Sequence, residues 1–266
     1  MKKGVFLVFA LTIAAIACQK VPITGRKQVS LINEREMIGM SLTSYKEFLA
    51  KNPPVPASDA NARMVKKIGV DMQRAVETFM KDKGLAKRLE GYQWEFNLVN
   101  ENSVNAWCMP GGKVVVYSGL LPVTQTEGAL ACVMGHEIAH AVARHGNERM
   151  SQGLLVQVGG IALSVAVSEK PQLTQDLFLQ SYGITSQLGM LKYSRTHESE
   201  ADKMGLIFMA IAGYDPTEAI SFWERMAKAS GGNAPPEILS THPSDDTRIA
   251  DIKAFLPEAM KYYKKK

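Results

Sequence analysis

The stretch VMGHEIAHAVARHG, residues 133–146, sets two histidines four positions apart with a glutamate beside the first. On a helix His136 and His140 lie on one face, one turn apart, so both imidazoles can reach one metal ion while Glu137 projects beside it. A zinc ion with an open position lowers the pKa of bound water toward neutrality, and a nearby carboxylate can take the proton as the water attacks a carbonyl. Glu137 fits that base role. A chance H-E-x-x-H match in a chain of this composition has an expectation of about 0.006, which outweighs the reading of two incidental histidines. His145, nine positions after His136, turns to the opposite side of a continuous helix and is the weaker candidate.

A hydrolytic zinc needs a third protein ligand from another element, and YSRTHESEADKMG, residues 193–205, offers one. Glu198 and Asp202 fall one turn apart on one helical face, with Ala201 and Gly205 small enough for that face to approach the motif helix closely. Glu198 is therefore the expected ligand. Asp202 is the expected carboxylate behind it, holding an imidazole N–H and fixing its tautomer. His197 and Glu200 point elsewhere on this reading. In THPSDDTR, residues 241–248, Pro243 and a Ser244 cap set His242 just before a helix and Arg248 within its first turns. Both can lean into one cleft.

Three stretches in order, GHEIAHAVARHG, SRTHESEADKMG and STHPSDDTRIADIK, together resemble the HtpX-type and CAAX-prenyl-protease-type zinc metallopeptidases, a gluzincin family. The resemblance covers most of residues 90–256 and implies one zinc per chain on His136, His140 and Glu198, with Glu137 as base. It also implies an α+β, mainly helical fold with a thermolysin-like core, and a small sheet whose edge strand borders the cleft. The segment NSVNAWCMPGGKVVVYSGLL resembles the family's strand and turn beside that cleft, making Asn105 and Ala106 the expected substrate contacts by backbone pairing. In relatives with the H-P-x(4)-R pattern the histidine and arginine lie near zinc. Arg248 is then an oxyanion donor. His242 is either a second donor or a fourth ligand that holds the enzyme latent. The chain departs from membrane-integrated members by lacking a convincing pair of spans, and from members with a helical-repeat extension by stopping soon after DIKAFLPEAMKYY. It looks most like a short, lipid-anchored periplasmic branch.

Residues 1–18, MKKGVFLVFALTIAAIAC, have a lysine pair, an apolar run too short to span a membrane, and a cysteine after small and aliphatic residues. The AIAC ending resembles a bacterial lipobox, which makes Cys18 a lipidation site and residues 1–17 a signal peptide. Gln19 rather than aspartate after the cysteine directs such a lipoprotein, in a Gram-negative host, to the periplasmic side of the outer membrane. Residues 18–33 then read as an extended tether and 34–266 as one zinc metallopeptidase domain. Without Lys2 and Lys3, 29 basic side chains face 26 acidic ones, too weak an excess to argue for nucleic acid. Cys108 and Cys132 make at most one pair, which is not a disulfide framework.

Elsewhere the pattern predicts helices over 34–49 and 59–80, the latter with an apolar stripe of Met64, Val65, Ile68, Met72, Ala75, Val76 and Phe79. Strand-like runs flank ENSVNAWCMPGG. A Thr124–Glu127 capping box opens the motif helix. The apolar stretch 151–167 is expected as a buried or lid helix. The function expected is a zinc endopeptidase cleaving unfolded or misassembled envelope proteins, with an envelope lipoprotein chaperone or assembly factor carrying a latent or structural site as the alternative.

Overall fold

A computed structural model describes residues 18–158, 171–182, 193–230, 238–242 and 246–264. The expected signal peptide, most of the 151–167 stretch, Pro243 and the Ser244 cap lie outside the described residues.

Strands β1 (Cys18–Lys20) and β2 (Lys27–Val29) pair as an antiparallel hairpin. Expected as an extended tether, this segment instead folds back onto the chain, with Val21 and Gln28 buried. Helix α1 (Glu34–Lys51) is capped by the Asn33 side chain, and α2 (Ala60–Asp82) by Asp59, which accepts from the amides of Asn61 and Ala62. The α2 stripe is buried from Val65 to Phe79, with Met64 packed at its edge.

Strands β3 (Glu95–Val99), β4 (Ala106–Met109) and β5 (Lys113–Tyr117) form a sheet in the order β3-β5-β4. β3 runs parallel to β5, while β4 turns back antiparallel to it through Gly111 and Gly112, both at positive φ. Period-two alternation sends Ala106, Cys108, Val114 and Val116 into the main core. Trp107, Met109, Val115 and Tyr117 face a second core against α1.

A short helix α3 (Leu121–Thr124) precedes α4 (Glu127–Ala143). The cap of α4 is Thr126, whose hydroxyl accepts from the Ala129 amide at 3.0 Å; the expected Thr124 instead ends α3, its hydroxyl bonded to the Leu121 carbonyl. The local S/T-x-x-E pattern was met two residues too early. Helix α4 is buried on every side from Gly128 to Ala143, as a helix that is small or apolar all round except for His136, Glu137 and His140 requires. It forms the axis of the molecule, packed between α2, β4 and α7 (Arg195–Ile211). Helices α5 (His145–Val158) and α6 (Pro171–Ser181) precede α7. Helix α8 (Glu218–Ser230), the single turn α9 (Ile238–Thr241) and α10 (Asp246–Ala259) follow it. The result is an α+β architecture, mainly helical with small sheets. Among the described residues, no helix is long and apolar enough to cross a membrane.

Candidate metal centre

Helix α4 contributes His136, Glu137 and His140, and α7 contributes Glu198 and Asp202. The helices cross in direct contact because Gly135 and Gly205 meet at the crossing. Ser194 caps α7 by accepting from the His197 amide, which sets Glu198 in the first helical turn.

His136, His140, Glu198 and His242 each aim one ligand atom at the same point, all of them buried and within 4.8 Å of one another. His136 Nε2 stands 3.0 Å from His140 Nε2, 3.2 Å from His242 Nδ1 and 3.4 Å from Glu198 Oε2. Glu198 Oε1 lies 3.3 Å from His140 Nε2 and 3.1 Å from His242 Nδ1. A tetrahedral ion with ligands at 2.0–2.1 Å separates its ligand atoms by about 3.3–3.4 Å, so the spacing fits such an ion. The chemistry of the set points the same way, since three imidazole nitrogens and a carboxylate are zinc donors. Glu198 Oε2 is buried without a hydrogen-bond partner. Its charge is met by an ion pair with Arg248 Nη1 at 3.0 Å, so the fit to a metal ion rests on the spacing and chemistry of the four donors.

The outer atoms of the ligands are held. His136 Nδ1 bonds Asp202 Oδ1 at 2.8 Å. Asp202 in turn accepts from Arg248 Nε at 2.9 Å and Nη2 at 2.7 Å. Arg248 Nη1 stands 3.0 Å from Glu198 Oε2, and the guanidinium lies 3.4 Å over the Trp223 ring. Burial alone raises a carboxyl's pKa, but the charges of His242, Arg248 and His136 overcome it and hold Glu198 well below the usual carboxylate range. Glu137 differs. Burial pushes its carboxyl up against the opposing charges of His242 and His136, and its Oε1 has no hydrogen-bond partner. It stands 3.6 Å from His242 Nε2. A buried carboxylate with a raised pKa and one oxygen free of hydrogen bonds, beside a metal site, is suited to accept a proton.

The structure thus brings His136, Glu137, His140, Glu198, Asp202, His242 and Arg248 together. Asn105 and Ala106 sit differently from an open peptide rail. The Asn105 carbonyl faces β5, where it accepts from the Tyr117 amide, so the backbone groups of Val104, Ala106 and Cys108 face outward from this edge. Two of these groups are engaged at the Val104 end: the Val104 carbonyl accepts from the Ile238 amide at 3.1 Å, and the Ala106 amide donates to the Asn105 side chain at 2.9 Å. Cys108 and Cys132 are both free and buried.

Sequence reasoning missed a second circle of residues. Helix α4 ends at Ala143 because Arg144 adopts a left-handed conformation, φ 63°, and α5 starts anew at His145. The break turns His145 back to the site, where its Nδ1 lies 3.0 Å from His140 Nδ1. His197 stacks on His145 with ring centroids 4.5 Å apart, and Tyr193 covers His140 at 3.8 Å. The chain has five histidines, and all of them lie in this one cluster. That concentration could have been suspected only by abandoning the continuous-helix assumption.

The family model for peptidase family M48 matches residues 69–256. The chain is 39% identical over 169 residues to the mitochondrial metalloendopeptidase OMA1 of Schizosaccharomyces pombe, covering 63% of this chain and 48% of that protein. The human mitochondrial metalloendopeptidase OMA1 is 30% identical over 264 residues, 96% of this chain and 48% of its own. The β-barrel assembly-enhancing protease of Escherichia coli K12 is 32% identical over 165 residues, 60% of this chain and 34% of its own. The chain therefore spans about half or less of the length of these curated relatives. The expected lipid-anchored place on the periplasmic side of the outer membrane is overturned here, because the relatives in fungi, a plant and mammals are mitochondrial proteins. Family membership also supplies the expected cofactor, a divalent metal, generally zinc, for the buried His-His-Glu-His group. By the length of the match, the chain belongs to peptidase family M48, the family through which its metalloendopeptidase relatives resemble it.

Proposed function

We propose that this chain is a zinc-dependent endopeptidase that cleaves unfolded or misassembled proteins and rests in a latent state closed by His242. The observation that carries the reading is the convergence of His136, His140 and Glu198 on one point, with the buried Glu137 carboxylate beside it, its Oε1 making no hydrogen bond. Zinc, when bound there, supplies Lewis acidity toward water and the scissile carbonyl. Glu137 takes the proton from the attacking water as its oxygen bonds the carbonyl carbon, and returns it to the amine as the C–N bond breaks. Asp202 fixes the His136 tautomer with its N–H on Nδ1, leaving Nε2 as the ligand atom. Arg248 braces Asp202 and Glu198, and the geometry favours this bracing over the oxyanion role expected from sequence.

Latency is supported by α9. Its first residue, Ile238, occupies the outward carbonyl of Val104, and the turn is closed by the His242 amide donating to the Ile238 carbonyl at 2.9 Å. One segment thereby occupies the Val104 end of the strand edge and adds a fourth donor to the metal set. Release of this segment frees Val104 for backbone pairing with a peptide beside Asn105 and Ala106, which holds the scissile bond near Glu137. The alternative, an assembly factor whose metal is structural, is favoured by the same four-donor closure. Degradation of an unfolded protein by metal-loaded wild type and Glu137→Gln separates them. Loss of cleavage in Glu137→Gln supports the peptidase, and equal behaviour of the two supports the assembly factor.

A further inference from the structure

The turn of the β1–β2 hairpin enters the metal centre from behind. It is tight, with Ile23 and Gly25 both at φ 68° and the Val21 amide donating to the Arg26 carbonyl at 2.9 Å. From this turn Arg26 reaches between two buried carboxylates. Its Nη1 and Nη2 bond the two oxygens of Glu148 at 2.8 Å each, while Nε reaches both oxygens of Glu200 at 3.0 and 3.1 Å. Thr24 Oγ1 donates to Glu200 Oε1 at 2.6 Å.

Glu200 is in turn bonded by His145 Nε2 at 3.1 Å, and His145 Nδ1 meets His140 Nδ1 at 3.0 Å. The proton polarity along this line is determined at each atom. His140 presents Nε2 to the metal position, so a neutral ring carries its proton on Nδ1 and donates it to His145 Nδ1. His145 then carries its own proton on Nε2 and donates to the Glu200 carboxylate. Glu200, an acceptor only, also receives Arg26 and Thr24. Glu148 does the parallel task for His197, which stacks on His145. His136 has its carboxylate directly on the ring, whereas His140 has one placed an imidazole further out and fixed by the hairpin.

We propose that Arg26 is a positioning residue of the metal centre, holding His140 in its ligating orientation and tautomer through Glu200 and His145, so that the β1–β2 hairpin is a structural part of the site. The inference rests on the reading of His136, His140 and Glu198 as metal ligands.

The test measures the rate of zinc transfer from the full chain to a chromogenic chelator, and the visible spectrum of the cobalt(II)-loaded protein. Arg26→Ala is expected to speed transfer about 10-fold or more and to alter the cobalt bands, the range usual for outer partners of metal ligands. Arg26→Lys keeps a cation between the carboxylates but cannot bridge them, so it is expected to fold and to fall between. Gln28→Ala removes a hairpin bond to the Ala143 carbonyl without touching the relay and is expected to release zinc like wild type. In His145→Ala the further change Arg26→Ala is expected to add nothing, since the line is already cut. Wild-type release and spectrum in both Arg26 variants would overturn the inference while leaving the metal reading intact. So would equal acceleration by Gln28→Ala, or simple additivity with His145→Ala. A wild-type chain that takes up no stoichiometric zinc would overturn both the inference and the metal reading.

Discussion

Gly205 on α7 lies against the backbone of His136 on α4: a Cβ built on Gly205 would stand 2.9 Å from the His136 amide nitrogen and 3.0 Å from the Gly135 carbonyl carbon. Neither is a side-chain end that can swing away. This contact sets how close Glu198 comes to the two histidines. Gly205→Ala is therefore expected to lower stability by roughly 1–3 kcal/mol through overpacking and to reduce metal content as the helices part. Urea unfolding with metal analysis checks it, and unchanged stability and metal content would mean that the crossing can relax.

Arg248 is buried between Glu198 and Asp202, so its removal leaves two carboxylates facing each other without their cation. Arg248→Ala is expected to cost roughly 3–5 kcal/mol, the usual penalty for taking one partner from a buried charged set. Added zinc should restore part of the loss. A variant as stable as wild type would show that the guanidinium is not the brace.

His242→Ala is expected to raise basal cleavage of an unfolded protein several-fold, because it removes the fourth donor while leaving His136, His140 and Glu198 in place. A large fall in turnover would instead make His242 a donor to the reacting carbonyl.

Glu148 tests the hairpin's contribution to stability through pH. Burial would raise its carboxyl, but bonds from Arg26 and His197 outweigh that and bring the pKa from 4.5 to about 2. A folded-state pKa below the unfolded one gives stability that is complete above pH 4.5 and is lost as pH falls toward 2. The stability gap between wild type and Glu148→Gln should therefore be widest near neutrality and narrow over that window. Denaturation midpoints measured from pH 7 to 3 check this. A gap that does not change with pH would contradict it.

Much of the site could be read from residue spacing. H-E-x-x-H spacing places two ligands on one helical face, and the four-residue step from Glu198 to Asp202 places ligand and brace on another. Gly205 announced the close approach of the two helices. Other features depend on tertiary context. His145 reads as the weaker candidate because a regular helix carries position nine to the far side, and nothing local marks Arg144 as the residue that leaves the helix. Glu200 and His197 do face away from Glu198, but the hairpin covers that side, so they become supports rather than solvated charges. The strand β4 is buried on both faces, which erases the alternation that reveals a half-exposed strand. Its closure by Ile238 joins segments far apart in the chain.

The central claim is that Glu137 is the base of a metal-dependent peptidase. Its most direct test is cleavage of an unfolded protein by wild type and Glu137→Gln, each loaded to the same zinc content and each also prepared with His242→Ala to open the site. The account predicts equal zinc in both members of each pair and a fall in turnover of about 10²–10⁴ in the Glu137→Gln chains. Equal turnover at equal zinc would contradict it.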